Sequence, residues 1–298
     1  EDVMELLGID LQIVLCGVGV GVLIGLTGIG GGSLMTPLLI LFGGVQPTIA
    51  IGTDLAYGAV TKTLGGWRHW SKGTVDHGVS FWMALGSVPG SVLGVVLLEK
   101  VVSAKPSLLL GIIAGVLLLV ALSLLARAAF VRDAAARERH AVPLTAATKT
   151  AAATIGLVLG VLLGLTSVGS GALVGFVLLL VFRLTPHRVV GTDVFHAALM
   201  LWAATAAHLV FGNVDFALMG TILIGSLPGV VIGTALIDRV PSEVLRPALA
   251  CVLLAAGIGV GTKAGIDLPP WTVLAIPGAF GLIFAVISLV RRPQEATA

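Results

Sequence analysis

Charge is what this chain has least of. Asp, Glu, Lys and Arg together make up 11% of its 298 residues, against about 25% in average globular proteins. With 57% apolar side chains and a mean hydropathy of +1.10, that shortage excludes a soluble enzyme, a coiled coil and a disordered chain. Cysteine is scarce too. Cys16 and Cys251 each sit inside an apolar run, so there is no disulfide framework and no report of a redox compartment. No large excess of either charge sign exists, and a net +2 gives no reason to expect nucleic acid as a partner. The basic start of a signal peptide is also missing. The first residues are Glu1, Asp2, Glu5 and Asp10 in place of it, and the absent initial methionine points to a trimmed N-terminus.

What is abundant is glycine, with 40 residues spread through apolar sequence alongside 13 prolines. Small residues let transmembrane helices approach closely. The expected fold class is therefore an all-α polytopic membrane protein, with the lipid bilayer as its surroundings. A bilayer core takes about 20 apolar residues of helix. Candidate segments lie at 11–26, 33–43, 48–66, 76–98, 106–127, 150–165, 171–182, 187–211, 215–237, 244–261 and 271–290. Segments 33–43 and 171–182 are too short to span comfortably.

Basic residues collect on the cytoplasmic side. If all eleven segments cross from an external N-terminus, that side holds Arg68, Lys72, Arg127, Arg132, Arg137, Arg139, Lys149, Arg183, Arg188, Arg239, Arg246, Arg291 and Arg292. Only Lys100, Lys105 and Lys263 fall outside, thirteen against three. If the two short segments re-enter and the N-terminus is internal, the split is eight against eight. The first arrangement is expected, in a cell inner or plasma membrane, with the C-terminus cytoplasmic. It puts Trp67, Trp70 and Trp82 at the inner interface and Trp271 at the outer one.

The chain also matches itself without gaps at an offset of 139 residues. Gly25-Leu26-Thr27 meets Gly164-Leu165-Thr166, Gly52-Thr53-Asp54 meets Gly191-Thr192-Asp193, and Gly73-x-Val75-Asp76 meets Gly212-x-Val214-Asp215. Gly86-Ser87-x-Pro89-Gly90 meets Gly225-Ser226-x-Pro228-Gly229. An odd number of segments per copy gives two inverted-topology repeats of about five membrane segments each, plus an extra C-terminal helix. Such repeats are a signature of secondary transporters, whose site lies near the midplane between them. The expected organisation is a first repeat over 1–127, a cytoplasmic linker over 128–149, a second repeat over 150–263, and an additional C-terminal helix and tail over 264–298.

Paired Gly-interrupted segments are the best pointer to such a site. They supply Thr27, Gly30, Gly31, Gly32 and Ser33 from the first copy, and Thr166, Ser167, Ser170, Gly169 and Gly171 from the second. Each group opens a short helix, whose first-turn N–H groups and dipole suit an anion. Lys62, the one basic residue inside a candidate span, is a further substrate-binding candidate, although snorkelling to the interface is open to it. Asp54 and Asp193 are equivalent intramembrane carboxylates. With His196 they are candidates for carrying a coupling ion, H+ or Na+. Capping of helix starts is the competing role for the two aspartates, and a structural hydrogen bond is the competing role for the histidine. No cofactor and no metal site is expected.

At these residues the chain resembles the TauE/SafE family of membrane permeases, also called sulfite exporters. The resemblance rests on Gly28-Ile29-Gly30-Gly31-Gly32 with Pro37-Leu38, on Gly52-Thr53-Asp54, on His69 with Gly73-x-Val75-Asp76, and on Gly86, Pro89-Gly90 and Gly94. It implies outward, ion-coupled transport of a small anionic substrate, sulfite or an organosulfonate. The second turn departs from the pattern, reading Ser167-Val168-Gly169-Ser170-Gly171, and no proline there matches Pro37. Two other readings of the residues are a passive anion channel and an intramembrane hydrolase with Ser170 as nucleophile and His196 or His208 as base. The duplication speaks against the hydrolase, because Gly31 stands where Ser170 does.

Overall fold

The computed structural model describes residues 10–27, 32–134, 142–236 and 242–291, and among them it shows helices and no strand. The elements are α1 (Leu11–Thr27), α2 (Gly32–Leu41), α3 (Pro47–Ser71), α4 (His77–Leu97), α5 (Pro106–Ala134), α6 (Ala146–Thr166), α7 (Ala172–Leu180), α8 (Pro186–Val210), α9 (Phe216–Leu236), α10 (Ser242–Lys263) and α11 (Thr272–Arg291). A π-helical turn at Leu98–Val102 extends α4. Five of these helices are long and apolar enough to cross a membrane by length and composition. At 25 residues α3 is as long as α8, but it carries the polar load of Asp54 and Lys62.

Local chemistry fixes the starts. Proline at the first turn opens both α3 and α8, where its missing N–H is not needed. Asp76 Oδ1 accepts the N–H of Val79 at 3.0 Å, and Asp215 Oδ1 that of Leu218 at 2.9 Å, so these two aspartates are the caps of α4 and α9.

Glycine contacts give the directions. A Cβ on Gly17 would lie 2.9 Å from Ile222 O, one on Gly21 would strike Ser226, and one on Gly25 would strike Val230 and Gly233. The two numberings climb together, so α1 and α9 run parallel. Gly156, Gly160 and Gly164 meet Met83, Ser87 and Ser91 in the same way, so α6 and α4 are parallel. In contrast, Gly58 meets Leu201 and Gly65 meets Val194, which makes α3 and α8 antiparallel. Gly257 against Leu118 and Gly261 against Ala114 make α5 and α10 antiparallel as well. Adding 139 to one partner and subtracting it from the other turns the α1–α9 packing into the α6–α4 packing. The α3–α8 and α5–α10 packings map onto themselves. This is a pseudo-two-fold that inverts one repeat relative to the other, as the odd segment count requires.

The short helices are arms of hairpins. Gln12 Nε2 donates to Phe42 O at 3.1 Å, which sets the start of α1 beside the end of α2. The ten residues of α2 and nine of α7 cover about 15 Å, half of a ~30 Å hydrocarbon core. The two short segments therefore do not span the membrane on their own. They turn back inside the protein, and because each hairpin returns to the side it came from, the sides assigned to the other loops are unchanged. The tips meet: Gly169 N–H donates to Ser33 Oγ at 3.2 Å, and Gly32 packs on Ser167 and Ser170.

Candidate functional site

The second tip takes its shape from residues that leave the right-handed region. Ser167 ends α6 in the left-handed conformation at φ 59°, and Gly169 and Gly171 follow at φ +108° and +102°, a range that glycine adopts without a Cβ clash. Thr166 is fully buried and locks the turn. Its hydroxyl donates to Leu162 O at 2.7 Å and accepts the N–H of Val168 at 3.2 Å. The turn in this way points the Ser167 and Ser170 side chains at the opposing hairpin. Gly30 and Gly31 lie outside the described residues, and Thr27 closes α1 just before them.

Below the meeting tips a cavity of about 250 Å³ runs along α3. Its polar wall is Asp54, Tyr57, Thr61 and Lys62 of α3, Ser167 and Ser170 of the second tip, and Ser226 of α9. Gly32 contributes bare backbone, and Ile24, Leu64, Val194, Leu201, Leu227 and Val230 form the apolar wall. Going from Asp54 to Leu64 leads along α3 toward Arg68 and Lys72. That end of the molecule also carries Arg188, whose Nη2 reaches Gly73 O at 3.4 Å and whose Nη1 lies 3.7 Å from Asp76. The cavity thus extends from the centre toward the basic face.

Asp54 is 1% exposed and sits inside α3, well past its first turn. It is not a helix cap; neither is Asp193 in α8, since Gln46 and Thr185 hold the capping positions. Thr36 Oγ1 donates to Asp54 Oδ2 at 2.7 Å, and Ser167 Oγ donates to the same oxygen at 2.8 Å. One oxygen is therefore held by a hydroxyl from each hairpin. The other, Oδ1, has no hydrogen-bond partner among the described residues. Lys62 is 7% exposed, so it does not snorkel, and its ammonium likewise has no hydrogen-bond partner there. The charges of both Asp193 and Asp54 act on it.

The structure thus brings Gly32, Lys62, Ser167, Ser170 and Asp54 to one cavity, with Ser33 and Gly169 joined directly behind it. His196 is elsewhere. It is fully buried and its Nε2 lies 2.8 Å from Ser87 Oγ on α4, off the cavity lining. His208 contacts Asn213 at 3.4 Å, and Asn213 Nδ2 donates to Glu99 Oε1.

Two hairpins from opposite sides thus meet at a buried carboxylate and a buried ammonium. Residues 13–260 match the family profile described as sulfite exporter TauE/SafE. The chain belongs to the TauE/SafE family. It is a multi-pass membrane transporter. Among its relatives is the probable membrane transporter protein YjnA of Bacillus subtilis (strain 168), 36% identical over 252 residues, which cover 84% of this chain and 98% of the relative. The probable membrane transporter protein YunE of the same organism is 28% identical over 225 residues, 68% of this chain and 80% of the relative. No solved structure matches.

In this TauE/SafE protein, sequence reasoning missed Thr36, Tyr57, Thr61 and Ser226. Thr36 had a signal, being a polar residue next to Pro37 within an apolar ten-residue helix. Tyr57 is the chain's single tyrosine and follows Asp54 by three residues, hence on the same helix face. Ser226 had none, because only packing of α9 near α3 brings it to the cavity.

Proposed function

We propose that the protein is a secondary transporter moving a small sulfur-containing anion, sulfite or an organosulfonate, across the cytoplasmic membrane, with its site where the hairpin tips meet. The observation that carries this reading is the pairing, in one cavity, of the Lys62 ammonium and one Asp54 carboxylate oxygen, neither of which has a hydrogen-bond partner among the described residues. An unpartnered buried ammonium is costly, and an anion in the cavity supplies the missing acceptor. Ser167, Ser170 and the backbone at Gly32 supply further polar contacts around it.

Asp54 supplies the coupling. A carboxylate and an anionic substrate in one low-dielectric cavity repel each other, so substrate binding favours a neutralised Asp54. A proton on Asp54, or a Na+ beside it, then travels with the anion. Asp193 acts through its charge on Lys62, balancing the ammonium when the cavity holds no anion. The basic face carrying Arg68, Lys72, Arg183 and Arg188 is cytoplasmic in this reading, with residues 128–149 as a cytoplasmic linker and the N-terminus outside. Export is the direction that the family resemblance implies, and a cavity reaching toward the basic face suits loading of the anion from that side.

The test is flux in proteoliposomes with sulfite, sulfate, thiosulfate, sulfoacetate and taurine, each with and without an imposed pH or Na+ gradient. Accumulation of sulfite or a sulfonate above its equilibrium level, driven by one of the gradients, is expected. Flux that never builds a concentration ratio under any gradient makes the protein a passive anion channel.

A further inference from the structure

The two repeats are related by a pseudo-two-fold, yet the cavity obeys no such symmetry. Shifted by 139 residues, its wall Tyr57, Thr61 and Ser226 becomes His196, Met200 and Ser87. Leu201 and Lys62 exchange with each other, and the counterparts of Ser167 and Ser170 are Gly28 and Gly31, outside the described residues. Tyr57 and Ser226 are as buried as His196 and Ser87, and the two sides differ at the rim: Leu64 and Leu227 on the cavity side are 63% and 56% exposed, whereas their counterparts Ala203 and Val88 are half-buried.

The difference lies in one pair of equivalent interfaces. α4 is docked along α8: Ser87 Oγ lies 2.8 Å from His196 Nε2, and Ser91 Oγ donates to Met200 O at 3.4 Å. The equivalent interface, α9 on α3, is much sparser, and Ser226 Oγ there has no hydrogen-bond partner among the described residues. The gap between α9 and α3 is the cavity.

We infer that a second substrate path, closed in this structure, runs from the hairpin tips along α8 to the face that carries Asn213. It is the counterpart of the open cavity, and its wall is the stripe Asp193, His196 and Met200 with Ser87 and Ser91 opposite. The occupant is the same small anion, so this inference rests on the reading of the cavity as the substrate site. The moving bodies are the two parallel glycine-packed pairs, α1 with α9 and α4 with α6, whose close backbone contacts keep each pair together. α3 and α8 form the antiparallel spine between them. When α9 docks on α3 as α4 now docks on α8, the present cavity closes. When α4 leaves α8, His196, Ser87 and Met200 line an opening to the opposite face. Polar groups at Ser87, Ser91 and His196 suit an interface that is wet for part of a cycle, where an apolar seam suits one that is always shut.

The experiment uses the full chain with Cys16→Ser and Cys251→Ser, carrying either Thr61→Cys or Met200→Cys as a reporter. Both are labelled with a membrane-impermeant maleimide in sealed vesicles of each orientation. Thr61→Cys is expected to react from the Arg68 face, and Met200→Cys, though buried here, from the Asn213 face. Mirror-related bulk then shifts the balance in opposite senses. Ser91→Trp wedges α4 off α8, raising Met200→Cys labelling and lowering that of Thr61→Cys by about tenfold each, and Val230→Trp does the reverse. The inference is overturned if Met200→Cys stays protected from both faces, reacts from the Arg68 face, or moves in the same sense as Thr61→Cys in both variants. If a Trp variant fails to insert, the two reporters alone decide the matter. Thermal shift of the purified protein with sulfite or methanesulfonate tests the site reading separately. Binding without reciprocal labelling removes the second path and leaves the site, and reciprocal labelling without binding upholds the path and removes the assigned anion.

Discussion

Ser167 and Asp54 stand 113 residues apart in the chain and 2.8 Å apart in the structure. Their hydrogen bond ties the tip of the second hairpin to the centre of the first repeat's third helix. Thr36 holds the same carboxylate oxygen from the first hairpin. A carboxylate clamped between two elements that approach from opposite sides senses any change in how the hairpins meet, so charge at Asp54 and geometry at the tips are one variable.

Asp54→Asn keeps both hydroxyl contacts available through its amide oxygen and removes the titrating group. In proteoliposomes, wild-type uptake is expected to rise when the side of anion entry is acidified, because a protonated Asp54 removes the repulsion. The variant is expected to lose this dependence while retaining anion exchange without a gradient. Uptake that responds to the pH gradient equally in both proteins removes the coupling role.

Lys62→Leu copies the residue that occupies the equivalent place in the second repeat, Leu201. Loss of a hydrogen bond to a charged group costs about 1.5–3 kcal/mol, so anion affinity is expected to fall roughly 10- to 100-fold. Lys62→Arg, which keeps the charge, should recover part of that loss. Isothermal titration with sulfite and with methanesulfonate measures both.

Gly160→Val puts a branched side chain where a Cβ alone would already meet the Ser87 backbone. Overpacking of this kind costs about 1–3 kcal/mol, visible as a lower melting temperature in detergent. Gly115→Ala is the control, since nothing lies within 4 Å of the added carbon there. It should leave the melting temperature unchanged or raise it, because alanine is the better helix former by about 1 kcal/mol.

Single cysteines at Lys72 and Arg183 are expected to label from one side of the membrane, and at Lys100 and Lys263 from the other. Arg188 bonded to Gly73 O already joins the loops that hold the first two. Labelling of Lys72 and Arg183 from opposite sides would sink the inverted arrangement and the transporter reading with it.

Composition and the 139-residue offset made the fold class, the inversion and the paired Gly turns legible, because a buried helix must be apolar and a duplicated helix must repeat its small residues. Asp54 and Lys62 were legible for the same reason: a charge inside an apolar run stands out. The capping role considered for Asp54 and Asp193 was misplaced by one element. Asp76 and Asp215, lying in the loops before α4 and α9, are the caps, and the N–H groups of these two residues bond in turn to Thr192 and Thr53.

What the sequence by itself determined is the scaffold: apolar helices and a two-fold that any fold of this chain has to respect, while the eleven crossings it suggested include two short helices that do not span. Only the tertiary structure decided how that two-fold is broken. Nothing in the spacing of Ser87 and Ser226, which are equivalent in sequence, says that one closes on His196 while the other borders an open cavity beside Tyr57. That outcome depends on which helix pair docks against the α3–α8 spine, and docking is a property of surfaces far apart in the chain.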